Sequence, residues 1–95
     1  ASRFPGPERD ICFQVPNSVS YGDITELVND TMSASGLIYT VSPVDIYQAE
    51  GDDTKNITVR ITLGSYDKTL TADDVKIVID NVVKVTTEAT KGRVV

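Results

Sequence analysis

The chain has 95 residues, a length that supports one hydrophobic core and is too short for two. Its apolar content of 40% is too high for a disordered chain, so we expect a single globular α+β domain over residues 1–95. The net charge of −5 argues against a protein that holds nucleic acid chiefly through its phosphates.

The first elements predicted along the chain are a strand and a helix. Residues 10–15 alternate between apolar and polar side chains and stop at Pro16, which is typical of a half-buried strand. Ser20 and Asp23 have the spacing of a helix capping box, and apolar residues then recur at helical spacing. A helix is therefore predicted over 21–35.

The middle of the chain predicts a hairpin of two strands. Residues 37–47 are rich in β-branched and aromatic side chains, but Pro43 donates no ladder hydrogen bond and favours an edge position. Residues 48–55 have no apolar periodicity and contain Gly51, so they form a loop. Clean alternation then predicts the next strand over 56–63.

The last part of the chain predicts a second helix and a short strand. Thr71 and Asp74 repeat the capping pattern, and one apolar stripe then predicts a helix over 72–86. Residues 92–95 can form only a brief strand. The order strand, helix, strand, strand, helix, strand is that of the ferredoxin-like split βαβ fold, with both helices on one face of an antiparallel sheet.

Strand alternation predicts which side chains this sheet buries and which it leaves uncovered. The fold places three helix residues beneath three strand residues, namely Val78, Ile79 and Val82 beneath Phe13, Val59 and Ile61. The opposite, uncovered side then carries Cys12, Gln14, Asn56, Thr58, Arg60 and Thr62, joined by Asp45 and Tyr47 if Val44 and Ile46 face the core. This uncovered side is polar and carries one aromatic ring. Such a surface can bind an unpaired RNA base, but an ordinary solvent-exposed sheet face has the same composition.

The residue inventory predicts no catalytic or metal site. The chain has no His, and its one cysteine, Cys12, can form neither an internal disulfide nor a zinc site. The paired acids Asp52-Asp53 and Asp73-Asp74 fall in a turn and at a helix start, where charges are ordinary. With a single cysteine and no signal peptide or long apolar run, a cytoplasmic location is expected.

Short motifs in a fixed order link the chain to a known family. Phe4-Pro5, Arg9-Asp10, Val44-Asp45-Ile46-Tyr47 and Asp67-Lys68-Thr69-Leu70-Thr71 follow one another along the sequence. In this order they resemble the ferredoxin-fold anticodon-binding domain at the C-terminus of the bacterial phenylalanyl-tRNA synthetase β chain. Lys68 replaces the arginine usual in that family.

The resemblance implies a non-catalytic RNA-binding role and a set of site residues. Tyr47 would stack on an anticodon base, while Cys12, Asn56 and Thr58 would line that base. Members of the family more often have a small residue such as Ala in place of Cys12 and a Ser in place of Asn56.

Three cations complete the expected site. Arg9, Arg60 and Lys68 would steady nearby phosphates or base edges, although each can equally be a solvated charge. Local turn and cap chemistry explains the residues around Lys68 without a ligand.

The same resemblance implies the partners of the domain. They are the anticodon stem-loop of the phenylalanine tRNA, the rest of the synthetase β chain and the α subunit, with no membrane and no DNA. The domain would hold no cofactor, since the ATP and magnesium of the parent enzyme act elsewhere in it.

Two other functions fit a ferredoxin-like fold. A regulatory domain that binds an amino acid between paired copies is one, but the glycine-marked turn of such domains is not evident in residues 16–19. An acylphosphatase is the other, and the chain has no glycine-rich phosphate loop after its first strand.

Overall fold

A computed structural model describes residues 6–48 and 50–95 and has the predicted order of elements. They are β1 (Glu8–Pro16), α1 (Tyr21–Ser35), β2 (Ile38–Tyr47), β3 (Thr54–Gly64), α2 (Ala72–Thr90) and β4 (Arg93–Val94). The strands form one antiparallel sheet in the order β2-β3-β1-β4, which confirms the ferredoxin-like fold. The predicted motif Phe4-Pro5 lies outside the described residues.

The pairing of β1 with β3 forms the centre of the sheet. It runs without interruption from Glu8 opposite Thr62 to Pro16 opposite Thr54. Because directly opposed residues point to the same side, this pairing fixes the two faces of the sheet. Both strands are therefore longer than predicted, since each continues as far as its partner supplies ladder hydrogen bonds.

α1 begins and ends where the sequence predicts. The backbone N–H of Asp23 donates to Ser20 Oγ at 3.0 Å, and the N–H of Ser20 donates to Asp23 Oδ2 at 2.9 Å. This reciprocal capping box satisfies two of the amides that a helix start leaves unpaired. The helix ends at Gly36, whose φ of 77° is the left-handed conformation that favours glycine.

α2 has the same type of start but runs four residues past its predicted end. Thr71 and Asp74 form its capping box, and hydrogen bonds from Thr71 lower the pKa of the Asp74 carboxyl. The prediction of an end at Thr86 was wrong because the buried stripe continues through threonines. Thr90 lies one turn further on, and its hydroxyl donates to the Thr86 carbonyl at 2.7 Å.

The core lies between the helices and one face of the sheet. Its fully buried side chains come from β1, β3 and both helices, which confirms that the two helices cover the same face. Of the three helix residues predicted to be buried, Val82 is buried, whereas Val78 and Ile79 are only partly buried against the core. Among the residues that the structure describes, no helix is both long enough and apolar enough to cross a membrane.

β2 is an edge strand, as Pro43 predicted. Its register against β3 shifts between Pro43 and Asp45, so Val44 is an extra residue in the strand. Beyond this bulge Asp45 lies opposite Thr58, and Tyr47 lies opposite Asn56. The bulge therefore puts Asp45 and Tyr47 on the predicted side of the sheet, away from the helices. The condition attached to that prediction was wrong, because Val44 and Ile46 are exposed and do not enter the core.

The hydroxyl of Thr86 is a buried group without a partner in the described part of the chain. We expect Thr86→Val to raise the free energy of unfolding by about 1 kcal/mol, because valine has the same shape and removes an unsatisfied polar group. Thr90→Val is the matched control. Its hydroxyl bonds to Thr86 and Gly92, so its loss should lower stability by a similar amount in denaturant unfolding. Loss of stability in Thr86→Val would contradict this assignment.

Candidate nucleic-acid interface

The side of the sheet away from the helices, called the open face below, carries its side chains in rows that cross the strands. Its first row contains Tyr47, Asn56, Gln14 and Arg93, each opposite the next. These four residues come from all four strands. The row thus places one ring, two amides and one guanidinium side by side.

The four residues predicted to contact a base lie together at this row. Thr58 lies next to Asn56 along the open face of β3, and Cys12 lies opposite Thr58. Tyr47 is 61% exposed, whereas Cys12, Asn56 and Thr58 are half-buried between neighbouring strands. The site thus consists of one exposed ring next to three less exposed side chains that can form hydrogen bonds.

Arg60 is on the open face but is engaged by acids. Its Nε and Nη2 donate to the two carboxylate oxygens of Asp10 at 2.9 and 3.1 Å, and Glu8 Oε2 lies 3.3 Å from Nε. The hydrogen bonds from Arg60 hold the pKa of Asp10 below its ordinary value. Two carboxylates therefore neutralise the cation that was predicted to meet phosphate.

The other two predicted cations lie away from the ring. Arg9 is opposite Ile61, a buried core residue, so it belongs to the helix side of the sheet. Lys68 lies in the segment before α2, and its Nζ is 3.6 Å from Asp74 Oδ2. The structure thus brings together Tyr47 and the residues predicted to line a base, with Arg60 beside them, and leaves Arg9 and Lys68 elsewhere.

Gln14 and Arg93 are residues of the first row that were not among the predicted site residues. Arg93 Nε donates to Gln14 Oε1 at 2.7 Å. Alternation in β1 placed Gln14 outward, but nothing in the sequence gives the register of a two-residue strand. The signal that could have found this pair is available only once β4 is placed against β1.

The chemistry available on the open face is that of recognition. An aromatic face can stack on any base, and amide, hydroxyl and thiol groups can meet base edges. Among residues 6–48 and 50–95, no group of three or more His, Cys, Asp or Glu side chains is arranged to hold a metal ion. Some domains bind their ligands on the open face of a sheet, through an exposed aromatic ring and neighbouring hydrogen-bonding side chains. RNA-binding domains are common members of this class.

Comparison with known proteins identifies the family. The sequence model of the family called ferredoxin-fold anticodon binding domain matches residues 2–94, and the chain belongs to this family. The match covers the strands of the open face as well as both helices.

Relatives with similar sequences are beta subunits of phenylalanine–tRNA ligase. The chain is 33% identical to the Pseudoalteromonas translucida subunit over 86% of its length and 10% of that subunit. It is 32% identical to the Xanthomonas euvesicatoria subunit over 98% of its length and 12% of that subunit. The Chlorobium chlorochromatii subunit is 37% identical over 80% of the chain and 9% of that subunit. The chain thus spans about a tenth of the length of the curated relatives it matches.

The ion pair of Asp10 with Arg60 predicts a pH dependence of stability. Because folding lowers the pKa of Asp10, the stabilisation is complete above the ordinary pKa of about 3.9 and is lost as the pH falls through the lowered value. Asp10→Asn should therefore melt at a lower temperature than the parent chain at pH 7. The melting temperatures of the two proteins should converge as the pH falls through the lowered pKa of Asp10.

The control for this prediction removes the other partner. In an Arg60→Gln background, Asp10→Asn should no longer change how the melting temperature depends on pH. A difference that persists in that background would assign the effect to another partner of Asp10.

Proposed function

We propose that this chain is the anticodon-binding domain of a phenylalanine–tRNA ligase beta subunit and binds the anticodon loop of the phenylalanine tRNA on its open face. The observation that carries the proposal is the position of Tyr47 beside Asn56, Thr58 and Cys12. Family membership supports an anticodon as ligand, and the names of the relatives support this synthetase.

The division of the sheet into two faces favours the open face as the RNA surface. The helices cover the other face and fill it with apolar side chains, so that face has no room for a base. On the open face Tyr47 is exposed, and its neighbours are small or polar. An unpaired base of a loop can stack on the ring, while Asn56 and Thr58 offer donors and acceptors to its edge.

The charge distribution implies that the domain reads bases and makes few phosphate contacts. The chain has a net charge of −5, and acids within the domain neutralise Arg60 and Lys68. The remainder of the longer synthetase, including its α subunit, would then provide most of the phosphate contacts. Catalysis with ATP and magnesium would also belong to that remainder, so this domain would recognise tRNA without reacting with it.

Tyr47→Ala tests the stacking role. We expect affinity for an RNA hairpin with the anticodon stem-loop sequence to fall by about five- to 150-fold, because stacking on an aromatic ring contributes roughly 1 to 3 kcal/mol per base. Tyr47→Phe keeps the π face and should lose much less. The measurement is fluorescence anisotropy with labelled RNA.

Thermal unfolding of the same variants separates binding from folding. Because Tyr47 is exposed, neither substitution should lower the melting temperature by much, whereas truncating a core ring costs about 3 to 5 kcal/mol. Tyr66→Ala is a matched control, since Tyr66 is another exposed tyrosine, 68% accessible, and lies outside the rows of the open face. Unchanged RNA affinity in Tyr47→Ala would refute the proposal. A dimer stabilised by an amino acid would instead support the regulatory alternative.

The salt dependence of binding tests the charge argument. With one or two phosphate contacts to a single-stranded loop, the slope of log affinity against log salt should be on the order of −1. A slope several times steeper in an anisotropy titration would contradict the neutralisation of Arg60 and Lys68.

A further inference from the structure

Arg93 and Arg60 both lie on the open face, but they have different hydrogen-bond partners. Arg60 is bound by two carboxylates, whereas Arg93 is fixed by a neutral amide, with its Nε donating to Gln14 Oε1 at 2.7 Å. In the part of the chain that the structure describes, no carboxylate lies within ion-pair distance of Arg93. Its two terminal nitrogens also have no partner there. The guanidinium is therefore held by Gln14, and no carboxylate of the described residues offsets its charge.

Gly92 allows the chain to approach β1 closely enough for Arg93 to lie opposite Gln14. A Cβ atom at residue 92 would lie 2.7 Å from the carbonyl oxygen of Gln14 and 2.7 Å from Cγ1 of Val15. Only a glycine lets the chain pass so close to β1 as it leaves α2. The close passage puts Arg93 directly opposite Gln14, on the same face as Tyr47.

The surroundings of Arg93 suit a phosphate better than a base. Its neighbours Val94 and Val95 have neither a ring for stacking nor a group for the edge of a base. A planar guanidinium with two unpaired terminal nitrogens matches the oxygens of a phosphate. Gln14 orients that plane without reducing its charge.

We propose that Arg93, oriented by Gln14, binds a backbone phosphate of the RNA strand whose base stacks on Tyr47. This inference rests on the proposed function. The two side chains stand at opposite ends of one row, three strand spacings apart, or about 14 Å. At that separation the phosphate belongs to a neighbouring nucleotide. The row would thus bind the strand at two points, with a base at β2 and a phosphate at β4.

Arg93→Gln tests the phosphate contact with the labelled anticodon hairpin. Affinity at low salt should fall several-fold, and the slope of log affinity against log salt should lose about 0.7 of its magnitude, the share of one single-strand phosphate contact. The loss should be the same for a hairpin whose loop sequence has been scrambled, because phosphates carry no sequence information. Lys84→Gln is the matched control. Lys84 is an exposed residue of α2, on the helix side of the sheet, so the same change of charge there should change neither affinity nor slope.

Two substitutions of Gln14 test the orientation. Gln14→Glu keeps an acceptor for Arg93 but neutralises its charge, so affinity and slope should fall nearly as far as in Arg93→Gln. Gln14→Met removes the acceptor and keeps the size and charge balance, so affinity should fall while the slope is retained. Melting temperatures near that of the parent chain would show that all variants fold.

The outcomes separate this inference from the proposed function. If Tyr47→Ala weakens binding but Arg93→Gln leaves both affinity and slope unchanged, the phosphate contact is wrong and the anticodon role stands. If Arg93→Gln changes the relative affinity for the two loop sequences but leaves the salt slope unchanged, Arg93 contacts a base. The proposed phosphate contact is then wrong as well. If the parent chain does not bind the hairpin, or if Tyr47→Ala binds as well as the parent chain, the proposed function fails.

Discussion

The antiparallel pairing of β1 with β3 is the constraint on which the rest of this structure depends. Nine consecutive pairs of residues, from Glu8 opposite Thr62 to Pro16 opposite Thr54, lock the two central strands in one register. A slip by one residue would turn every buried side chain of either strand to the opposite face. The register is secured because Ile11, Phe13 and Val15 must all enter the same core as the apolar residues of β3.

Once this register is fixed, the two edge strands complete the first row of the open face. β2 brings Tyr47 beside Asn56, and β4 brings Arg93 beside Gln14. Each edge strand needs one local irregularity to do so. In β2 it is the extra residue Val44, and just before β4 it is Gly92, which has no Cβ atom. The first row therefore depends on two features that contribute little to the hydrophobic core.

Much of the fold was predictable from the sequence, because the capping residues and the apolar periodicity of each segment favour the same elements that the hydrophobic core requires. Both capping boxes marked the starts of the two helices, and alternation in β3 assigned its two faces correctly. The end of α2 was not predictable in this way. Thr86 and Thr90 look like polar, strand-favouring residues, yet both are buried along the helix stripe, and the hydroxyl of Thr90 is bonded to the preceding turn.

The candidate site was predictable in its backbone placement but not in its electrostatics. Period-two alternation was enough to bring Asn56, Thr58 and Cys12 to one face, whereas Tyr47 joins them only because of the bulge at Val44. Which cations are neutralised depends instead on cross-strand neighbours, as in the pairing of Asp10 opposite Arg60. A sequence can name the charged residues of a strand, but only the register shows which charges meet.

The neutralisation of Arg60 has a consequence for how the domain could discriminate between RNAs. A surface rich in unpaired cations would hold any RNA through its phosphates, and that binding would compete with recognition of the correct loop. Here the acids Glu8 and Asp10 pair with Arg60, next to the residues proposed to line the base, while no carboxylate in the described part of the chain pairs with Arg93 at the far end of the first row. Affinity would then depend mainly on whether a loop can place an unpaired base on Tyr47, which phosphate attraction alone cannot achieve. Under the proposed function, a net negative charge would suit a domain that selects a tRNA held by other parts of a larger enzyme.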